Sequence, residues 1–144
     1  MELNQFTDYA LRTLIYVALQ EGKRSSIKEI ASRFQISENH LVKVVHRLGI
    51  LGYLDTVRGR GGGVTLAKPA ETINLGEVVR AVEPLAVVEC LSSEPGHCCL
   101  AGVCELQSTL RKATAAFLAV LDDRSLADLV AEEEALKKRL HIRR

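Results

Sequence analysis

The chain has 144 residues, which suits one domain or a small domain with an appended arm. Hydrophobic residues make up 47% and charged residues 26%, a composition that excludes a wholly disordered chain. The net charge of +1 argues against tight, sequence-independent binding of nucleic acid, although residues 1–72 carry ten Lys or Arg against seven Asp or Glu.

The first third of the chain predicts three helices. Apolar residues recur at helical spacing over residues 6–20, 27–34 and 38–51. Thr7, Ser26 and Ser37 are the predicted N-caps, because each carries a side-chain oxygen at the start of a helix. Glu29 follows Ser26 by three residues, which is the spacing of a capping box.

The elements that follow predict a hairpin and more helices. Residues 53–57 and 64–66 are predicted strands, joined by a glycine-rich loop over residues 58–63. A short helix over residues 75–82 is expected to stop at Glu83 and Pro84. Residues 89–104 lack periodicity, a long helix is predicted over residues 104–121, and Ser125 is expected to cap a last helix before a polar tail at Arg143 and Arg144.

Two short helices, a tight turn and a β-hairpin form the pattern of a winged helix-turn-helix. The predicted fold class is therefore mainly α with a small β-hairpin wing, with a DNA-binding domain over residues 1–72 and a second part over residues 73–144. A helix fits the major groove, and arginines beside glycines can enter the minor groove. The predicted DNA-binding side chains are Ser37, Asn39, His40, Lys43, Arg47, Arg58 and Arg60.

Four cysteines lie within a 15-residue segment rich in turn-forming residues: Cys90, Cys98, Cys99 and Cys104. In a reducing cytosol, clustered cysteines indicate metal ligands before disulfides. Zinc loops more often hold two cysteine pairs, each spaced by two residues, whereas the wider spacing here favours an iron–sulfur cluster, [4Fe-4S] or [2Fe-2S]. Adjacent cysteines point apart, so either Cys98 or Cys99 is expected to stay outside the ligand set.

Two other interpretations of the cysteines remain open. A structural zinc ion could be held, with His97 as a further ligand. The cysteines could also share a loop without binding a metal.

Three segments resemble a known family, the Rrf-type transcriptional regulators. They are the opening at residues 6–12 (Phe-Thr-Asp-Tyr-Ala-Leu-Arg), the wing at residues 57–63 and the cysteine loop. The opening is most similar to the nitric-oxide-sensitive members, and the likeness also includes residues 83–85 and 126–130. The resemblance implies a homodimer built on the long helix that follows the cysteine loop.

The resemblance also implies a ligand set. In such regulators three cysteines hold an iron–sulfur cluster, and an Asp from the partner's first helix can complete it. On this sequence those residues are Cys90, Cys98, Cys104 and Asp8. The chain departs from the family in two respects: seven residues separate Cys90 from Cys98 where four or five are usual, and Cys99 is additional. Cys99 therefore stays an alternative to Cys98.

The expected function is that of a cytoplasmic, homodimeric repressor that binds an inverted-repeat DNA operator and releases it when nitric oxide reacts with the cluster. An enzymatic activity is not expected, because the sequence indicates neither oxyanion donors nor a substrate cleft. A membrane partner is not expected either, because the opening residues are polar and no apolar run approaches roughly 20 residues. Three alternatives stay open: a related regulator that senses iron or cluster supply, a small iron–sulfur electron-transfer protein, and catalysis by a reactive thiol.

Overall fold

The computed structural model describes residues 2–92, 96 and 98–142, and in these residues it forms seven α-helices and a two-stranded hairpin. The helices are α1 (Gln5–Ala18), α2 (Ile27–Phe34), α3 (Glu38–Ile50), α4 (Leu75–Val82), α5 (Glu105–Asp122), α6 (Leu126–Leu129) and α7 (Glu133–Arg139). The strands are β1 (Leu54–Val57) and β2 (Gly63–Leu66), and single 3-10 turns occupy Ala70–Thr72 and Glu89–Leu91.

The predicted N-caps of α1 and α2 are partly wrong. Asn4 rather than Thr7 caps α1, because Asn4 Oδ1 accepts a hydrogen bond from the Thr7 amide at 2.8 Å while Thr7 itself is fully buried in the helix. Ser26 caps α2 as predicted, with its hydroxyl 3.0 Å from the Glu29 amide. The second half of a capping box is replaced, since Glu29 accepts a hydrogen bond from the Tyr16 hydroxyl at 2.7 Å.

The hairpin packs beside the turn that precedes α2. β1 and β2 are antiparallel, with Leu54 opposite Leu66 and Val57 opposite Gly63. Ser25 extends the pairing, because its amide and carbonyl both bond to Val64, at 3.1 and 2.8 Å. The hairpin is thereby fixed to the start of the helix-turn-helix rather than only to the end of α3.

One hydrophobic core joins the two predicted parts of the chain. Its fully buried residues include Leu14, Ile30, Leu41 and Leu48 from α1 to α3. Ile73, Val78 and Leu126 belong to the same cluster although they lie beyond residue 72. The division at residue 72 stays a prediction about function rather than a boundary between separate cores.

Helix α4 is bonded to the end of α5. Arg80 forms a two-pronged ion pair with Asp122 at the end of α5, with Nη2 to Oδ2 at 2.7 Å. This pair lowers the pKa of Asp122 and raises that of Arg80 through the hydrogen bonds and the opposite charge. Asn74, the N-cap of α4, donates to the Asp122 carbonyl at 2.6 Å.

The helix expected at Ser125 is not the last one. α6 is a single turn with a full capping box formed by Ser125 and Asp128, and α7 follows it. The charges of α7 could have revealed it, because Glu133 and Glu134 occupy its first turn and basic residues its last. Lys137 pairs with both Glu133 and Glu21, so α7 contacts the turn that follows α1. None of the described helices is long and apolar enough to span a bilayer.

Candidate DNA interface and cysteine site

The outer face of α3 is polar and open. Four predicted DNA-binding side chains on this helix are exposed, as is Ser37 just before it: Ser37, Asn39, His40, Lys43 and Arg47. The opposite face is anchored by buried apolar residues, Leu41, Val44, Val45 and Leu48. Ser37 caps α3 by position but makes no side-chain hydrogen bond to it, which leaves its hydroxyl available to a phosphate. The arrangement suits a helix that enters a major groove.

Two of these side chains also contact other helices. The ring of His40 lies 6.4 Å from that of Tyr9 on α1, with the planes inclined at 39°. The guanidinium of Arg47 donates to the Ala81 carbonyl near the end of α4 at 3.4 Å. One donor of Arg47 is therefore already used in a hydrogen bond within the protein. Asn39 and Lys43 lie nearer the start of α3.

The wing loop has a defined shape. Gly59 and Gly61 have φ angles of +88° and +74°, in a region that disfavours residues with a Cβ. Arg58 and Arg60 are both exposed, as a minor-groove contact requires. Arg24, which lies just before α2, donates to the carbonyl of Gly61 at 3.0 Å.

The four cysteines are free and fall into two pairs by exposure. Cys90 lies in the 3-10 turn Glu89–Leu91 and Cys104 is the N-cap of α5, and both are partly buried. Cys98 and Cys99 are exposed. His97, the further ligand considered for a zinc ion, lies outside the described residues. The structure therefore holds two cysteines against the fold and leaves two on the surface of the loop.

Cys90 lies between two groups that connect it to the other predicted ligands. Cys90 and Cys98 line the same hollow of about 200 Å³, together with Glu89 and Gly96. On the other side, Gln107 donates its side-chain amide to the Cys90 carbonyl at 3.2 Å. The main-chain amide of Gln107 lies 3.4 Å from Cys104 Sγ.

The described residues stop short of a closed metal site. Within residues 2–92, 96 and 98–142, no three His, Cys, Asp or Glu side chains converge closely enough to hold one metal ion. The donor set nevertheless fits an iron–sulfur cluster, because thiolates are its usual ligands and Cys90 and Cys98 already line one hollow. A closed site would also need Cys104 beside this hollow, and such a local rearrangement is common when metal binding and folding are coupled.

Asp8 is engaged within its own helix. Arg12 Nε lies 2.9 Å from Asp8 Oδ1, and Arg12 Nη2 lies 2.9 Å from Asp8 Oδ2. The side chains of Asp8 and Arg12 are 42% and 45% exposed, so a neighbouring molecule can reach the carboxylate. The spacing of four residues could have revealed this pair, since charges at that spacing meet on a helix surface.

Sequence reasoning missed three residues that contact the predicted sites: Arg12, Arg24 and Gln107. The four-residue spacing between Asp8 and Arg12 could have predicted the contact of Arg12. No local pattern predicts the contacts of Arg24 and Gln107, because their hydrogen bonds join residues that are 37 and 17 positions apart.

The hairpin, the preceding helix pair and the exposed faces of α3 and the wing define a winged helix-turn-helix DNA-binding protein. Residues 3–132 match the family model Rrf2, whose description is iron-dependent transcriptional regulator. The chain belongs to the Rrf2 family and is a transcriptional regulator.

Curated relatives agree with this assignment over nearly the full length. The chain is 47% identical to the HTH-type transcriptional regulator NsrR of Bacillus subtilis (strain 168), over 99% of both chains. It is 46% identical to that of Shouchella clausii (strain KSM-K16), over 99% of this chain and 97% of the relative. These names are those of regulators, which agrees with the prediction that the chain is not an enzyme.

Solved structures share the fold. The structure called T. potens IscR superposes with a TM-score of 0.74 at 24% identity, over 95% of this chain and 91% of that one. CymR, described as the global cysteine regulator of B. subtilis, gives a TM-score of 0.70 at 25% identity, over 92% and 98%. The predicted fold class is confirmed.

Proposed function

We propose that the chain is a homodimeric repressor whose operator binding is switched by nitric oxide through an iron–sulfur cluster held by Cys90, Cys98, Cys104 and Asp8 of the partner subunit. Cys99 stands as the alternative to Cys98. The observation that carries this proposal is the position of Cys90, which shares a hollow with Cys98 and a hydrogen-bonding glutamine with Cys104. When bound, the cluster would supply iron that reacts with nitric oxide.

The chain's own residues provide a route from the cysteines to DNA. Asp8 lies on α1 next to Tyr9, and Tyr9 packs against His40 on the outer face of α3. If Asp8 bound the cluster of the partner subunit, its carboxylate would have to leave Arg12, which holds it with one hydrogen bond and a second ion-pair contact. This exchange would shift α1, and the Tyr9–His40 contact would pass the shift to α3.

The energy needed for such a switch is small. Each good contact to a base contributes about 1–3 kcal/mol, so the loss of one or two per half-site changes occupancy strongly. A two-fold dimer reads two half-sites, so the expected operator is an inverted repeat with half-sites about one or two helical turns apart.

The test uses full-length protein purified without oxygen. A duplex that this protein selects from a random pool, called the selected duplex below, provides the DNA. We expect the protein to be brown and to contain iron and sulfide in a fixed molar ratio to the polypeptide. It should bind the selected duplex tightly and release it as nitric oxide is titrated in. Equal binding with and without nitric oxide would refute the switch, and colourless protein with stoichiometric zinc would refute the cluster.

A related function is sensing of iron or cluster supply by the same cysteines. The family description, iron-dependent transcriptional regulator, favours it. The two functions separate in the same assay. A supply sensor changes its binding of the selected duplex between cluster-loaded and cluster-free protein but does not respond when nitric oxide is added at low stoichiometry.

A further inference from the structure

Gln107 contacts two of the proposed ligand residues at once. It lies in the first turn of α5, three residues after Cys104, and is partly buried. Its side-chain amide donates to the Cys90 carbonyl at 3.2 Å, and its main-chain amide donates to Cys104 Sγ at 3.4 Å. Cys90 and Cys104 belong to different segments, the 3-10 turn Glu89–Leu91 and the start of α5.

The two bonds have different origins. The bond to Cys104 Sγ uses the main chain, because Cys104 is the N-cap of α5 and any residue at position 107 would offer the same amide. The bond to Cys90 uses the side chain and depends on glutamine. A substitution at position 107 therefore releases Cys90 while the cap at Cys104 is retained.

We propose that Gln107 is a positioning residue of the cysteine site, which fixes the separation of Cys90 and Cys104 before a cluster is assembled. This inference rests on the proposed function, because it assigns both cysteines to one cluster. A ligand that is already held in place loses less conformational freedom on binding, so the cluster is retained longer. Cys98, or Cys99 in its place, is exposed and then completes the site last.

The variants separate the donor from the shape of the side chain. Gln107→Leu has a similar size and no donor, whereas Gln107→Lys keeps a donor of similar reach. Thr109→Ala, an exposed position two residues further along α5, serves as the matched control. Gln107→Glu, which also lacks the donor, replaces the leucine variant if circular dichroism shows that the latter is unfolded.

Two measurements on protein kept free of oxygen test this role of Gln107. In the reconstituted protein, the visible absorbance is followed after a ferrous chelator is added. We expect Gln107→Leu to lose its colour about fivefold faster than wild type, which corresponds to about 1 kcal/mol, the net value of one hydrogen bond. Gln107→Lys and Thr109→Ala should stay within twofold of wild type. In the cluster-free protein, iodoacetamide should alkylate Cys90 faster in Gln107→Leu than in wild type.

The outcomes distinguish this inference from the proposed function. Wild type without iron or sulfide would refute the cluster itself. Cluster-loaded wild type that bleaches no more slowly than Gln107→Leu would refute the role of Gln107 alone. Bleaching of Gln107→Lys as fast as that of Gln107→Leu would also overturn it, because the donor would then be irrelevant.

Discussion

Arg24 holds the carbonyl of Gly61 at the tip of the wing, with Nη1 at 3.0 Å from the oxygen. The two residues are 37 positions apart, and Arg24 immediately precedes Ser25, which pairs with Val64 of β2. Close packing reinforces the contact, since a Cβ at Gly63 would lie 2.9 Å from the Ser25 carbonyl oxygen. The wing is therefore positioned by the start of the helix-turn-helix.

Arg24→Ala should weaken binding of the selected duplex about fivefold, because the wing loses its hydrogen bond while α3 is unaffected. Fluorescence anisotropy gives the affinity. Hydroxyl-radical footprinting should show reduced protection in the minor groove beside each half-site. Lys23→Ala removes a neighbouring exposed cation and is the control. If both variants weaken binding equally, the effect is one of charge and not of wing position.

Lys43 and Arg47 should behave differently although both are exposed cations on α3. Lys43→Ala is expected to weaken binding of the selected duplex and to reduce its salt dependence by about one unit of slope, as for a lost phosphate contact. Arg47→Ala should reduce the slope less than Lys43→Ala does and lower the free energy of unfolding by about 0.5 kcal/mol, because Arg47 bonds to the Ala81 carbonyl. Affinity measured at several salt concentrations and urea unfolding test both, and an equal reduction of the slope in the two variants would contradict this difference.

Matched serine variants can show which of Cys98 and Cys99 is the cluster ligand. Cys98 lines the hollow that Cys90 also lines, so Cys98→Ser should retain less than half of the iron of wild type after anaerobic reconstitution. Cys99→Ser should keep nearly all of it. Iron and sulfide analysis per chain decides the matter. The opposite order would assign Cys99 as the ligand.

Alkaline stability should depend on Tyr16. Burial, and after it the hydrogen bond and charge of Glu29, raise the pKa of Tyr16 from 10.0 to about 12. The folded state therefore binds this proton more tightly than the unfolded state, and the stabilisation is complete below pH 10 and lost as the pH rises to about 12.

Tyr16→Phe should lower the free energy of unfolding by about 1 kcal/mol at pH 8, since one hydrogen bond is lost. Between pH 10 and 12 its stability should fall less steeply than that of wild type, as urea unfolding would show. Part of the slope should remain, because burial and then Glu77 also raise the pKa of Tyr53. Identical slopes in the two proteins would contradict the role of Tyr16.

Two helical glycines give a further matched pair. A Cβ at Gly76 in α4 would overlap Asp122 Oδ1 and lie 2.8 Å from Arg80 Nη1. Gly76→Ala should therefore cost at most about 1 kcal/mol of stability, because the added Cβ displaces the flexible ends of an exposed ion pair. At Gly49 in α3 the nearest atom is the Leu54 carbonyl oxygen at 3.7 Å. Gly49→Ala should stabilise the protein by about 0.5–1 kcal/mol, and urea unfolding of both variants would show whether the signs differ.

The sequence predicted what depends on local pattern. The predicted bounds of α2 and α4 agree with the structure. Local features mark these helices: both show apolar residues at helical spacing, Ser26 precedes α2 and Pro84 follows α4. The bonds of Arg24 and Gln107 could not be predicted, since they arise only after distant segments pack. The predicted N-cap of α1 is wrong because Asn4 and Thr7 both lie near the start of the helix, and only the backbone geometry identifies Asn4 as the cap.

Helix α4 is bonded to two other helices. Arg80 secures it to the end of α5, and its Ala81 carbonyl receives Arg47 from α3. These bonds join α5, which follows the cysteine segment, to α3, whose outer face is exposed. If the chain is the proposed dimeric switch, α4 is one path by which a change at α5 would reach α3.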